Sequence, residues 1–252
     1  MTLLPNAIWL TCPHPNAHAP LRLFCFPYAG AGASVFRPWA AKLHPTVEVY
    51  AVQLPGRERR IGEPSLTSLH ALVAPLATAL LPALNKPFAF FGHSMGALIS
   101  FEVVRYLRQH HGILPEHLFV SGCRAPHIPI PHPLIHQLPD IEFSQALRRY
   151  GGTPEGVLQN SELMTLFRPI LRADLAINET YAYRPESPLN CPISAFGGLQ
   201  DEHVTLAHLS AWYVQTQNTF TLDLFPGGHF FLKNKLDQLL ATIQRTRITS
   251  YP

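Results

Sequence analysis

Phe88-Ala89-Phe90-Phe91-Gly92-His93-Ser94-Met95-Gly96 runs from an apolar stretch into a tight turn, and Ala97 to Arg108 follows with helical spacing. The pattern predicts strand, turn and helix, with a serine at the tip. Such a turn is strained, and the residues two before and two after the serine must be small for strand and helix to pack. Gly92 and Gly96 meet that demand. G-x-S-x-G alone carries little weight, since a glycine-rich turn with a surface serine would look the same. Its place at a strand-to-helix junction gives the motif its force.

In this arrangement an acid and then a histidine follow the serine in chain order. Cys191 to Phe196 reads as a buried strand, and Gly197-Gly198-Leu199-Gln200-Asp201 is the loop leaving it. Phe220 to Phe225 alternates as a strand and runs into Pro226-Gly227-Gly228-His229. Both loops can converge on Ser94. Asp201 would orient the imidazole, and His229 would take the serine proton. Glu202 competes for the acid role but is placed less well by the Gly-Gly turn, and Asp223 reads as a solvated strand residue.

Leu21 to Phe26 forms another strand, followed by Pro27-Tyr28-Ala29-Gly30-Ala31-Gly32-Ala33. Small residues let backbone amides approach a ligand closely. One oxyanion donor would be the N–H after the nucleophile, Met95, and the second would come from this loop, at Tyr28 or Ala29. The glycine spacing matches neither a P-loop nor a dinucleotide fingerprint.

Strand 21–26, a helix near 36–43, strand 47–54, a helix over 66–84, strand 88–91 and strand 117–121 alternate along the chain. The helix after Ser94 sets Ile99, Val103, Tyr106 and Leu107 on one face. This order predicts an α/β fold with a mostly parallel sheet and helices on both faces. Between Gly122 and Cys191 the rhythm breaks. A proline-rich run (Pro126, Pro129, Pro131, Pro133, Pro139) precedes helical patterns at 141–150 and 161–181, the second interrupted by Pro169. Insertions of this size are usually functional, and this one is expected to form a helical lid over the catalytic face. The plainer alternative is a peripheral helical pair.

The chain has 252 residues, 47% hydrophobic and 14% charged, with a net charge of +3. That suits one compact domain burying about 70–75% of its unfolded surface. The charge is too mild for nucleic-acid binding, and the run Arg57-Glu58-Arg59-Arg60 is expected to be a solvated loop. Four scattered cysteines (Cys12, Cys25, Cys123, Cys191) suggest neither disulfides nor zinc. Fourteen histidines raise the question of a metal site; prolines around His132 argue against a shared helical face with His136, and no metal or cofactor is expected. No signal peptide or membrane span is visible, which points to the cytoplasm.

The segments Phe26-Pro27-Tyr28-Ala29-Gly30, Leu54-Pro55-Gly56-Arg57-Glu58, Gly92-His93-Ser94-Met95-Gly96, Ser121-Gly122-Cys123-Arg124-Ala125-Pro126, Leu171-Arg172-Ala173-Asp174 and Gly227-Gly228-His229-Phe230-Phe231 together resemble a type II thioesterase. These stand-alone enzymes accompany polyketide and nonribosomal peptide synthases. The likeness covers nearly the whole chain, including the insertion. It implies an α/β-hydrolase fold as a single domain over 1–252, with the lid at about 126–183. It implies a triad of Ser94, Asp201 and His229, oxyanion N–H groups from Ala29 and Met95, and no cofactor. Tyr28 stands where several family members carry another residue type, and no role is carried over to it.

The implied reaction is hydrolysis of acyl groups from the phosphopantetheine arm of acyl or peptidyl carrier proteins. Carriers are generally acidic, and Arg148, Arg149 and Arg172 are expected near the channel mouth, unless Arg172 pairs with Asp174 or braces the lid. Two other readings compete. One is a small-molecule esterase or acyltransferase on the same fold. The other is a non-catalytic binding protein, against which stands the presence of all three triad residue types in order.

Overall fold

The computed structural model describes residues 8–130 and 134–248. Among the described residues seven strands form one sheet: β1 (Leu10–Thr11), β2 (Leu21–Phe26), β3 (Val47–Val52), β4 (Phe88–His93), β5 (His117–Ser121), β6 (Ile193–Gly198) and β7 (Phe220–Phe225). Their order is β1-β3-β2-β4-β5-β6-β7. Only β1 is antiparallel, pairing Leu10 with Val52 and Thr11 with Ala51. This two-residue edge strand has too little pattern to be read from sequence.

The chain moves outward from β2 to β3, then crosses back to place β4 on the other side of β2. The strand order therefore reverses between β2 and β4, and a crevice opens at their carboxyl ends, where ligands bind in open α/β sheets. Ser94 follows β4, and the loop from Pro27 follows β2.

The helices are α1 (Arg37–Leu43), α2 (Leu69–Leu80), α3 (Met95–His111), α4 (Asp140–Tyr150), α5 (Glu155–Leu158), α6 (Ser161–Glu179), α7 (Leu206–Ser210), α8 (Phe231–Asn234) and α9 (Leu236–Ile248). Strand alternation divides the core into two layers. Phe24, Phe26 and Phe90 pack with Leu72 and Leu76 of α2 and with Leu98 and Val103 of α3. Leu23, Cys25 and Phe91 face the other way, toward Trp39 of α1 and Leu239 of α9. Each fully buried Phe or Leu contributes about 1.5–3 kcal/mol, so the sheet rather than any loop sets the stability of the site's platform.

Helices α4 to α6 lie between β5 and β6 and have a small core of their own: Phe143, Leu147, Met164, Leu171 and Leu175. Helix α6 runs unbroken through Pro169, against the expected interruption. A proline removes one backbone donor, and here buried residues on both sides, Met164, Ile170 and Leu171, hold the helix together. Helix α2 likewise spans Pro75 and is shorter than the expected 66–84.

Arg57 and Arg60 overturn the expectation of a solvated basic run, being only 4% and 5% exposed. The reason is specific pairing. Arg57 meets Asp174, and Arg60 donates to Glu63 and to the Gln53 carbonyl. Arg172 pairs with Asp140 and donates to the His136 and Leu138 carbonyls rather than to Asp174. His132 lies outside the described residues. No helix among them is long and apolar enough to cross a membrane.

Candidate active site

Ser94 sits at φ 53°, ψ −119°, between the end of β4 and the start of α3. Positive φ in a residue with a β-carbon costs about 1–3 kcal/mol and marks functional sites. The packing around the turn explains its glycines. A Cβ on Gly92 would lie 2.2 Å from the Gly96 carbonyl oxygen, and one on Gly96 would lie 2.1 Å from that of Phe26. The Ser94 N–H donates to the Ser121 carbonyl at 2.7 Å, tying the turn to β5.

Ser94, Met95, Ala29, Tyr28 and His229 line one pocket. The β2 loop makes a tight turn in which the Ala31 N–H donates to the Tyr28 carbonyl at 3.0 Å. Its third position needs positive φ, which Gly30 supplies at 78°. The Gly30 N–H is committed to Asp174 Oδ2 at 2.7 Å. Neither Ala29 nor Met95 donates its backbone N–H to a turn or loop acceptor among the described residues.

His229 Nδ1 lies 2.8 Å from Asp201 Oδ2. Oδ1 of Asp201 accepts the N–H groups of His203 at 2.8 Å and Val204 at 3.1 Å. Burial opposes charge on Asp201, yet the His229 bond, the imidazolium charge and those two amides outweigh it and hold its pKa below the usual carboxylate value. His229 Nε2 is buried with no hydrogen-bond partner among the described residues. The bond to Ser94 Oγ is thus not made in this form; such bonds tighten when substrate is bound.

Aromatic rings fence in this imidazole. Phe230 lies 5.0 Å away at 85°, and Tyr150 of α4 lies 5.9 Å away at 86°. His93 lies 5.2 Å away, fully buried and bonded through Nδ1 to Ser121 Oγ at 2.9 Å. Desolvation, then repulsion from His229, lowers the His93 pKa well below its usual value, so it stays neutral.

Another buried serine–histidine pair joins His117 Nε2 to Ser194 Oγ at 2.8 Å. These residues stand at the starts of β5 and β6, the end of the parallel sheet opposite Ser94. Ser194 Oγ also bonds Thr221 Oγ1 at 2.7 Å. This pair stitches strands together.

The structure thus groups Ser94, Ala29, Met95 and His229 in one pocket and puts Asp201 on His229. Sequence reading assigned no role at the site to Tyr150, His93 or the Arg57–Asp174 pair. Each depends on contacts across the fold, and only the quoted R-A-D and P-G-R segments hinted at the last.

A thioesterase domain model matches residues 21–246. The chain is 46% identical to the gramicidin S biosynthesis protein GrsT of Aneurinibacillus migulanus, over 97% of this chain and 96% of that protein. It is 48% identical to the linear gramicidin dehydrogenase LgrE of Brevibacillus parabrevis, over 94% of this chain and 92% of that one. Despite that relative's name, the glycine loop after β2 lacks the G-x-G-x-x-G pattern of a dinucleotide site. The type II thioesterase BorB from the borrelidin biosynthetic cluster superposes with a TM-score of 0.87 at 39% identity, covering 94% of this chain and 97% of that structure. The chain belongs to the thioesterase family, as a type II thioesterase with the α/β-hydrolase fold, a hydrolase of the kind linked to nonribosomal peptide and polyketide biosynthesis.

Proposed function

We propose that this editing thioesterase clears acyl groups from the phosphopantetheine arm of acyl or peptidyl carrier proteins through an acyl-enzyme on Ser94. The observation that carries the reading is the strained Ser94 turn sharing a pocket with a buried His229, whose Nδ1 is held by Asp201 at 2.8 Å while Nε2 is left free.

Nε2 takes the Ser94 proton as Oγ attacks the thioester carbonyl. The N–H groups of Ala29 and Met95 hold the developing oxyanion, the role in which preorganised donors contribute most. The C–S bond then breaks, and the thiol departs with the proton from His229. With a pKa near 8.5, this leaving group needs less protonation than an amine. Water gives a proton to His229 as it attacks the acyl-serine carbonyl; the C–Oγ bond then breaks, Ser94 Oγ takes that proton back from His229, and the free acid leaves. Asp201 holds the tautomer and stabilises the imidazolium throughout.

Helices α4 to α6 cover the site as the lid segment, since Leu147, Tyr150 and Leu171 from them line the same pocket. One domain over 1–252 carries both sheet and lid. The test is mass spectrometry of a panel of acyl carrier proteins before and after exposure to the enzyme. Loss of the acyl mass with wild type and its retention with Ser94→Ala is the expected result. Equal activity on free esters, or transfer to an acceptor other than water, would favour a general esterase or acyltransferase.

A further inference from the structure

Asp174 belongs to the insertion, yet it is fully buried, 0% exposed, and its carboxylate reaches into the core loops. Oδ2 accepts the Gly30 N–H at 2.7 Å. Arg57 grips the same carboxylate with both terminal nitrogens, Nη2 donating to Oδ1 at 2.7 Å and Nη1 to Oδ2. Arg57 also donates through Nη1 to the Ala31 carbonyl at 3.3 Å and through Nε to the Pro55 carbonyl at 3.2 Å. Gln53, 0% exposed, closes the circuit by accepting the Ala33 N–H at 3.1 Å and donating to the Arg57 carbonyl at 3.0 Å.

Two of these bonds reach the turn Tyr28–Ala31 directly, at the Gly30 N–H and the Ala31 carbonyl, and the rest brace the Asp174–Arg57 pair that makes them. Ala29 precedes Gly30 in that turn, and its small side chain cannot fix where its N–H points. The direction must come from neighbours, and Asp174 holds the adjacent amide. Helix α6 presses on the same glycine: a Cβ there would fall 2.6 Å from Leu171 Cδ2. Asp174 itself lines the Ser94 pocket.

We propose that Asp174, clamped by Arg57, is a positioning residue for oxyanion stabilisation. Helix α6 supplies the anchor that aims the Ala29 donor, so the covering helix and the oxyanion turn are one mechanical unit. A consequence is that α6 does not swing away as the site opens; access comes from α4 and α5. The proposal rests on the Ser94 acyl-enzyme reading above and deepens it.

The test measures steady-state kinetics on an acyl-pantetheine thioester. It also measures affinity for an alkyl trifluoromethyl ketone, which adds to Ser94 Oγ and leaves an oxyanion on its former carbonyl oxygen. Removing one partner of a buried ion pair leaves the other charge uncompensated and threatens folding. The variants are Arg57→Lys, which keeps both charges but loses the bidentate fork, Asp174→Asn, which leaves Arg57 uncompensated and is read only on folded protein, and the charge-free double variant Arg57→Met with Asp174→Asn, which removes that penalty. Arg57→Lys and Asp174→Asn should lower kcat roughly 10- to 100-fold with KM changed less than about threefold, and weaken the ketone in parallel. The double variant keeps an amide oxygen for the Gly30 N–H and should recover part of kcat relative to Asp174→Asn.

Folded variants whose kcat and ketone affinity stay within twofold of wild type would overturn the proposal, as would losses confined to KM or to melting temperature. The underlying reading fails differently. If Ser94 is not the nucleophile, Ser94→Ala binds the ketone as tightly as wild type does.

Discussion

The Asp201 carboxylate holds His229 on one oxygen and two backbone amides on the other, at 2.8 Å to His229 Nδ1 and at 2.8 and 3.1 Å to the N–H groups of His203 and Val204. An acid fixed on both sides cannot follow the ring if the ring turns, so it sets one tautomer and one orientation. Replacing it by an amide of the same shape should lower kcat roughly 10³-fold or more. The carboxyl is depressed below its usual pKa, so its stabilisation is present above the unfolded value near 4 and is lost as pH falls through the folded value. The melting temperature of wild type minus that of Asp201→Asn should therefore be constant above about pH 5 and shrink below pH 4. A difference that grew on acidification would contradict the assignment.

Among the described residues Ser121 of β5 bonds His93 of β4 and Ser194 of β6 bonds His117 of β5, while Ser94 shares a pocket with His229. A fluorophosphonate should label wild type and Ser194→Ala but not Ser94→Ala. Ser194→Ala should keep kcat within about threefold, because Ser194 sits at the far end of the sheet and bonds His117 and Thr221. His229→Ala should resemble Ser94→Ala in turnover, since groups acting as a unit give similar, non-additive losses. Normal labelling of Ser94→Ala would remove Ser94 as the nucleophile.

The sheet and the serine turn were legible because they rest on local signals. Phe88 to Gly96 carries its own strand, its own turn glycines and its own helix start; the Gly-Gly pairs near Asp201 and His229 mark the ends of β6 and β7, although Gly197 and Gly198 are the last residues of β6 itself rather than part of the loop. The Arg57 misreading shows where local signals stop. Three arginines and a glutamate in four consecutive residues look solvated until a carboxylate 117 positions later folds onto the first of them. Pro169 taught the same lesson in reverse: a breaker by propensity is carried by the buried face of α6. Arg172 next to Asp174 invited a local pair, but neighbours in a helix point to different sides, and each found a partner elsewhere.

The buried His117 makes stability fall on mild acidification. Desolvation lowers its pKa from 6.5 to about 4. Between those values the unfolded chain binds a proton that the folded one does not, so stability drops as pH falls below 6.5. At pH 5 the loss is about 2 kcal/mol, or roughly 4–8 °C in melting temperature for a chain of this size. His117→Gln, which keeps a donor near Ser194, should show a smaller drop between pH 7 and pH 5. His93 acts in the same direction, so some acid sensitivity will remain. An unchanged pH slope in the variant would count against a neutral buried His117.

Hydrogen exchange should divide the insertion rather than treat it as one body. The second half of α6 is buried from Ile170 to Ile177, Arg172 excepted, and pinned through Asp174. In α4, Ile141 is 73% exposed and only Phe143, Ala146 and Leu147 are buried. Amides of α4 and α5 should exchange faster than those of α6 and slow when a substrate analogue binds, as expected of gating elements from the low-stability end of a structure. Uniform protection across all three helices, with or without ligand, would identify the insertion as a static structural piece.

A carrier partner should meet fewer positive charges than the sequence offers. Arg148 pairs with Glu155 and Arg172 with Asp140, which spends two of the three candidate arginines inside the insertion. Arg149 remains exposed on α4. A further cation stands nearby that sequence did not suggest: Lys233, whose ammonium lies 4.7 Å from the Phe230 ring centroid and 5.7 Å from that of Tyr28, both pocket residues. Lys233 is exposed, with desolvation lowering its pKa from the usual lysine value. Exposed charges act on association more than on the bound state, and salt weakens them. Arg149→Glu and Lys233→Glu should therefore each lower kcat/KM for an acyl carrier protein by about 3- to 10-fold at low salt. The same acyl group on a short pantetheine mimic should be hydrolysed within twofold of wild type. Raising salt to about 0.5 M should bring wild type and variants together on the carrier substrate. Equal losses on both substrates would place these cations in the acyl or pantetheine channel, and no loss on either would leave the docking face elsewhere on the molecule.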